Sequence, residues 1–324
     1  MATIPAVHAP APPDLDALTA GLARVFGTSP GGVDVLERIP NVYATSAQTE
    51  IVVARVGRRA ERRLFVKHAS ARAEPVAHRG GAAYESAVHR HVLAPLGVSR
   101  AVLFGTFEVE GRGTSAVFDW LPDAMRVGKS PDATAIERAA RWIGTLHRRS
   151  QTVIVRCAPP LVRHDAPYYE GWVERTIAFA TRGRRRWLEP VGARARDAFA
   201  SFAASPGTVT HGEFYPNNVL VDDDGVYPVD WETAAIAPGE VDLAALTEGW
   251  APDVVARCER VYALARWGQR PDDGFGERLA TARLHLAFRW LGDRASWTTD
   301  ARADTRYEYL RSEGARLGWI EGAP

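Results

Sequence analysis

Cysteine is almost missing from this chain: Cys157 and Cys258 are the two among 324 residues. They lie far apart and match no disulfide or metal spacing, which excludes a disulfide framework and a thiolate metal cage and fits a reduced, cytoplasmic setting. No window of about 18 uninterrupted apolar residues occurs, so no membrane span is expected. The first residues carry neither a basic start nor an apolar run, and no cleaved leader is expected. An excess of charge is lacking too. With 40 basic and 39 acidic residues, no global field points to nucleic acid or a membrane surface. Lysine is the last scarcity: Lys67 and Lys129 are its two examples, and the other 38 basic residues are arginine. Arginine is larger, planar and forked, so a lysine kept in such a chain marks a place suited to a compact ammonium. Lys67 ends the apolar run Leu64-Phe65-Val66, whereas Lys129 sits in a polar turn.

The composition is otherwise that of a globular protein, 46% hydrophobic and 24% charged, with ample length for a buried core. Residues 1–13 are rich in alanine and proline and predict a disordered tail. Leu15, Leu18, Leu22, Val25 and Phe26 recur at helical spacing. Segments 51–56 and 63–68 flank the polar turn Gly57-Arg58-Arg59 and predict a β-hairpin. Tyr84, Val88, Val92 and Leu93 mark a helix that stops near Pro95. Two more strands are expected at 101–109 and 115–119. After Pro122 the helical pattern dominates. Ser130-Pro131 reads as a helix start, with Ile136, Ala139, Ile143 and Leu146 on one apolar face. Further helices are expected over 168–204, interrupted around Gly183 and Pro190, and over 240–324, with breaks at Pro252, Pro271 and Gly292. No internal repeat is visible. The class is α+β and bilobal: a β-rich lobe over 14–119 and a mostly helical lobe over 120–324.

Short strands return between 207 and 232. Val219 to Asp222 and Val226 to Val229 flank Asp223-Asp224-Gly225, a strong hairpin signal. Asn218 precedes the first strand and Asp230 follows the second. An antiparallel hairpin returns both to one open end, close enough for a hard cation to bridge an amide oxygen and a carboxylate. A surface hairpin flanked by polar residues is the plainer alternative. Phosphoryl transfer also needs a carboxylate beside the attacking hydroxyl, and Glu213 stands just upstream.

His211-Gly212-Glu213 to Asn218, Val229-Asp230-Trp231-Glu232 and Asp242-Leu243-Ala244 together resemble the signature of the aminoglycoside phosphotransferase-like superfamily, which includes choline and homoserine kinases. The layout covers roughly residues 35–320. The resemblance implies a protein-kinase-like fold and ATP- or GTP-dependent, Mg²⁺-assisted transfer to a hydroxyl. It puts Glu213 at the catalytic base, Asn218 and Asp230 at the metal, and Lys67 on the α- and β-phosphates with Glu85 as its ion-pair partner. His211 and Asp242 fall where the family supports its catalytic loop. Phe118-Asp119-Trp120-Leu121 resembles the hinge whose backbone, at Asp119 and Leu121, meets adenine. The turn from Asn41 to Thr49 sits where the phosphate-covering loop belongs. It contains no glycine, and Ser46 is its candidate phosphate contact.

One residue departs from the family pattern: Glu213 stands where aspartate is expected. Acid strength hardly changes, with reference pKa values of about 3.9 and 4.3. Reach changes by on the order of 1 Å, a displacement that can cost roughly a hundredfold in rate. The chain as a whole leaves three functional hypotheses: a small-molecule kinase of antibiotic resistance or secondary metabolism, a peptide Ser/Thr kinase of a biosynthetic pathway, and a nucleotide-binding pseudokinase. Residues Arg148 to Asp197 hold eleven arginines against five carboxylates, and Leu243 to Pro324 hold twelve of each. The expected acceptor is therefore neutral or anionic rather than a polycation. Tyr168, Tyr169, Trp172, Trp290 and Trp297 are either stacking surfaces for it or core.

Overall fold

The computed structural model describes residues 12–41, 48–58, 61–69, 79–157, 161–298 and 301–321. The chain divides into two compact units. One comprises Met1–Ser130 with Asn217–Ala234, the other Pro131–Pro216 with Ala235–Pro324. The hairpin that holds Asn218 and Asp230 thus groups with the first unit, although the helical chain surrounds it in sequence.

In the first unit, helix α1 (Leu15–Val25) opens on Asp14, whose side chain accepts from the Ala17 N–H at 2.8 Å. A five-stranded antiparallel sheet follows: β1 (Val33–Pro40), β2 (Thr49–Val56), β3 (Glu61–Lys67), β4 (Leu103–Val109) and β5 (Gly113–Asp119), in the order β1-β2-β3-β5-β4. β1 is absent from the sequence expectations. Its register shifts between Val35 and Glu37, and such a bulge breaks the alternation by which a strand is recognised. Of the predicted tail, residues 1–11 lie outside the described residues. Pro13 is buried, and its carbonyl accepts from Arg38 Nη1 at 2.9 Å.

Strand alternation divides this sheet into two faces. Leu64 and Val66 of β3 join Leu18, Leu22, Val52, Phe107 and Val117 in one apolar cluster under α1. Phe65 packs with Ala82, Ala116 and Phe118 on the opposite side, where helix α2 (Gly81–Val88) lies. Lys67 shares the parity of Phe65 and so emerges towards α2. That helix continues through a π-helical turn, His89–Leu93, into α3 (Ala94–Leu96), and ends at Gly97 in the left-handed conformation, φ 60°.

In the second unit the predicted apolar face is present: Ile136, Ala139, Ile143 and Leu146 of helix α4 (Ala135–Cys157) are all buried. The helix begins later than Ser130-Pro131 suggests. Asp132 takes up the Thr134 N–H at 2.8 Å, and the first α-type bond closes on the Thr134 carbonyl. Helices α5 (Ala166–Phe179) and α6 (Arg182–Ala203) are separated at Ala180 and Thr181 rather than at Gly183 or Pro190. α6 runs through Pro190, whose exposed position confines the cost largely to a lost backbone bond. Helices α7 (Glu240–Thr247), α8 (Pro252–Trp267), α9 (Phe275–Asp293) and α10 (Ala301–Arg316) complete the unit. Pro252 opens α8, as expected. Gly292 lies within α9, correcting the predicted break there. Among the described residues, no helix is long and apolar enough to cross a membrane.

A small sheet positions the loop that follows it. The short strand Thr208–Thr210 is wholly buried and pairs antiparallel with Ala235–Ala237, which pairs parallel with Val162–Arg163. His211 leaves the end of that first strand.

Candidate active site

In the first unit, four side chains gather at the open end of the Val219–Val221 and Val226–Pro228 hairpin. Its turn is closed by Asp222, whose Oδ1 accepts the Asp224 and Gly225 N–H groups at 2.9 and 2.8 Å. The Val229 N–H donates to the Asn218 carbonyl at 2.9 Å, which sets Asn218 across from the residue before Asp230. Asp230 is the one described non-glycine residue with positive φ, at 69°. Such backbone strain in a polar residue accompanies functional sites.

Asp230 Oδ1 accepts from Lys67 Nζ at 2.5 Å, Glu85 Oε2 accepts from the same ammonium at 2.8 Å, and Glu232 Oε2 lies 3.3 Å away. Glu85 also uses its other oxygen to accept the Trp231 N–H at 3.1 Å. The carboxylate is therefore fixed at both ends, and the ammonium is aimed by it. Burial pulls the Lys67 ammonium down, but Glu85, Asp230 and Glu232 outweigh that and hold its pKa well above the usual value. Burial also raises the Glu232 carboxyl, against the pull of Lys67 and with the push of Asp230. Arg79 Nε lies 3.7 Å from Glu232. Among the described residues, two cations thus face three carboxylates, which leaves one negative charge over.

That excess, with the amide oxygen of Asn218, suits a hard divalent cation. Mg²⁺ takes one or two protein ligands and completes its shell with phosphate and water. Among the described residues no group of three or more His, Cys, Asp or Glu side chains forms a dedicated metal cage. At the end of β5, the Asp119 N–H donates to the Val102 carbonyl at 2.9 Å, and Leu121 packs against the Phe118 cluster. The Asp119 amide is thus committed within the sheet. Ser46 lies outside the described residues.

In the second unit, the loop His211-Gly212-Glu213 is pinned on several sides. Asp242, fully buried in the first turn of α7, accepts the His211 N–H at 2.8 Å and the Gly212 N–H at 2.9 Å. His211 Nδ1 accepts the Glu213 N–H at 3.2 Å. Gly212 has φ 83°, a conformation that a Cβ would strain. His147 reaches Asp242 through Nε2 at 3.2 Å and Tyr262 through Nδ1 at 2.9 Å, and Tyr262 accepts from Arg266 at 2.6 Å. Burial pulls the His147 pKa down, partly offset by Asp242. The neutral ring that results donates from Nε2 and accepts at Nδ1. Gly239 makes room for it: a Cβ there would lie 2.5 Å from His147 Nδ1.

Glu213, the base expected from sequence, has a strong partner. Arg289 Nη2 donates to Glu213 Oε1 at 2.5 Å, while Nη1 donates to the Gly212 carbonyl at 2.7 Å. Tyr215 is close by and meets Trp290 at a tilt of 54°, with ring centroids 5.5 Å apart. Burial, opposed by Arg289 and reinforced by Glu213, pushes its phenol well above the usual range. Glu248 is held by Arg306 at 3.1 Å, and Arg306 lies over Trp290 at 4.6 Å. The aromatics differ in burial. Tyr169 and Trp172 are core, whereas Tyr168, Trp290 and Trp297 are half-buried. The arginine-rich start of α6 serves the structure. Arg184 bonds the Thr298 carbonyl and Asp304, and Arg185 caps the Ala178 and Ala180 carbonyls at the end of α5.

Two clusters therefore gather the residues singled out from sequence: Lys67, Glu85 and Asp230 with Asn218 adjacent, and Glu213 with His211 and Asp242. Glu232, Arg79, His147 and Arg289 were missed. Glu232 closes the Val229-Asp230-Trp231-Glu232 motif and was legible there. Arg289 is one of 38 arginines and carries no local signal.

Comparison with known proteins matches residues 52–298 to the pattern of the Phosphotransferase enzyme family. No curated protein matches the sequence. Among solved structures, a GDP complex of aminoglycoside 2'-phosphotransferase-IIIa superposes with a TM-score of 0.61 at 11% identity, over 88% of this chain and 93% of that one. Choline kinase LicA from Streptococcus pneumoniae gives 0.59 at 14% identity, over 88% and 93%. A spectinomycin phosphotransferase in complex with ADP and its antibiotic gives 0.54 at 14% identity, over 87% and 90%. At such identities the likeness establishes the fold, which is bilobal and protein-kinase-like.

Proposed function

This chain belongs to the phosphotransferase enzyme family and is a kinase of small-molecule hydroxyl groups, and from that premise we propose that it transfers the γ-phosphate of ATP, with Mg²⁺, to a hydroxyl of an antibiotic or secondary metabolite. The observation that carries the nucleotide half is Lys67 held by buried Glu85 at 2.8 Å beside Asp230. A charged ammonium so aimed binds the α- and β-phosphates, and the surplus carboxylate charge favours a cation next to it. Asn218 and Asp230 would hold Mg²⁺, which when bound neutralises phosphate charge. Backbone groups at Asp119 and Leu121 receive the adenine, and Ser46 contributes to phosphate binding. Solved relatives hold ADP in one case and GDP in another, so GTP is the competing donor.

Glu213, five residues before Asn218 in the chain, orients the acceptor hydroxyl and takes its proton as the oxygen attacks phosphorus. Asp242 and His211 hold the loop that presents it. Solved relatives are named for aminoglycosides, spectinomycin and choline. For this chain a neutral or anionic acceptor is favoured, because Glu213 is paired with Arg289 and Glu248 with Arg306. Free, buried Cys258, whose thiol burial pushes up to about 12, suits the reducing cytoplasm.

Titration calorimetry with Mg²⁺–ATP and Mg²⁺–GTP, followed by an ADP-release screen over hydroxylated antibiotics and metabolites, tests this reading. Saturable binding and acceptor-dependent ADP release are expected. A folded protein that binds neither nucleotide overturns the reading. One that binds ATP and phosphorylates only serine or threonine peptides reassigns the acceptor.

A further inference from the structure

We infer that Arg289 is a positioning residue for Glu213, and that the two form one functional unit in which glutamate, not aspartate, is the working length. The inference rests on the phosphotransfer reading above and explains the departure of residue 213 from the family pattern. The guanidinium bridges two points of the loop, donating to the Gly212 carbonyl at 2.7 Å and to Glu213 Oε1 at 2.5 Å. Both side chains are nearly enclosed, at 7% and 11% exposure. A planar fork with two such bonds fixes direction as well as distance, which a flexible ammonium does less well.

The backbone of the loop cannot advance to serve a shorter acid. Its three N–H groups are taken, those of His211 and Gly212 by Asp242 and that of Glu213 by His211, and Arg289 itself holds the Gly212 carbonyl. With the main chain fixed at these points, removing one methylene from residue 213 withdraws the carboxylate from the guanidinium by on the order of 1 Å, enough to cost roughly a hundredfold in rate. In this chain aspartate at 213 is therefore a loss, although it is the residue the family pattern calls for.

The test compares wild type with Arg289→Gln, Arg289→Lys, Glu213→Asp and the double variant Glu213→Asp/Arg289→Gln. ADP release from Mg²⁺–ATP with water as acceptor is the common probe. Nucleotide affinity by calorimetry and circular dichroism serve as controls for folding. Arg289→Gln and Glu213→Asp should each lower kcat about a hundredfold with KM for ATP unchanged. The double variant should be no worse than either single change, since the two act together. Arg289→Lys should recover to within about tenfold of wild type. A merely structural pair would instead lower the melting temperature and leave kcat per folded molecule intact.

Glu213→Asp as active as wild type, or Arg289→Gln with full kcat, overturns the inference while leaving the phosphotransfer reading standing. Wild type that binds Mg²⁺–ATP but never releases ADP, with water or any screened acceptor, overturns both. Should Arg289→Gln fail to fold, Glu213→Asp and Arg289→Lys decide alone, because each keeps the charge of the residue it replaces.

Discussion

Replacing Lys67 by methionine removes a charge while keeping an unbranched side chain of similar length. The ammonium it removes sits 2.8, 2.5 and 3.3 Å from oxygens of Glu85, Asp230 and Glu232. Glu85 and Glu232 are each only 4% exposed at the side chain, and Asp230 is 29% exposed. Without Lys67, two buried carboxylates and a half-buried one confront each other, and among the described residues Arg79 is the cation left to offset them. Breaking a buried ion pair by deleting one partner costs about 3–5 kcal/mol. Against a total stability of about 5–15 kcal/mol, that is a large fraction, and the melting temperature should fall by on the order of 10 °C.

The loss should depend on pH in a definite direction. Burial already raises the Glu232 carboxyl above its ordinary 4.5, and Lys67 is what restrains it. In the variant it rises further, so the folded state binds a proton that the unfolded chain releases. Stability of the variant then falls as pH rises above about 4.5, and its deficit against wild type is small at pH 5 and largest at pH 8. Urea unfolding of both proteins across that range measures this directly, and Lys67→Met/Glu85→Gln should regain part of the loss. A deficit below about 1 kcal/mol at pH 8, or one that does not change with pH, would refute the charge argument, because an uncompensated buried carboxylate cannot be both inexpensive and ionised.

Asp230→Gly should abolish Mg²⁺-dependent nucleotide turnover yet leave stability unchanged or raise it by about 1 kcal/mol. It relieves a positive φ of 69° and one surplus carboxylate; a marked drop in melting temperature would contradict this. His147 and His285 are buried and held below the ordinary histidine range, the first by burial against the pull of Asp242, the second by burial and then Arg289. The unfolded chain accepts protons below about pH 6.5 that the fold refuses, so stability is complete above that pH and declines on acidification by up to about 1.4 kcal/mol per unit for each ring. His285→Phe should remove its half of that slope between pH 6.5 and 5.5 in urea unfolding, and an unchanged slope would clear His285 of the effect.

Periodicity and turn chemistry, both local, determined much of this protein. Alternation along Leu64-Phe65-Val66-Lys67 placed the lysine opposite the core face, and Asp223-Asp224-Gly225 set the hairpin that returns Asp230 towards Asn218. Spacing within His211 to Asn218 and the motif at Asp230 identified the family. Boundaries were less legible where a side chain competed with the backbone, as Asp132 does at the start of α4, or where a bulge broke the alternation of β1. Only the tertiary structure decided which distant charges meet. Glu232 reaches Lys67 across 165 residues of chain, and Arg289 reaches Glu213 across 76. An ion pair leaves no periodic trace in sequence, because it needs two side chains at one point in space and nothing of the residues between them. In a chain with 38 arginines, composition could not single out the one that holds the Glu213 carboxylate; the packing of α9 against the His211 loop did.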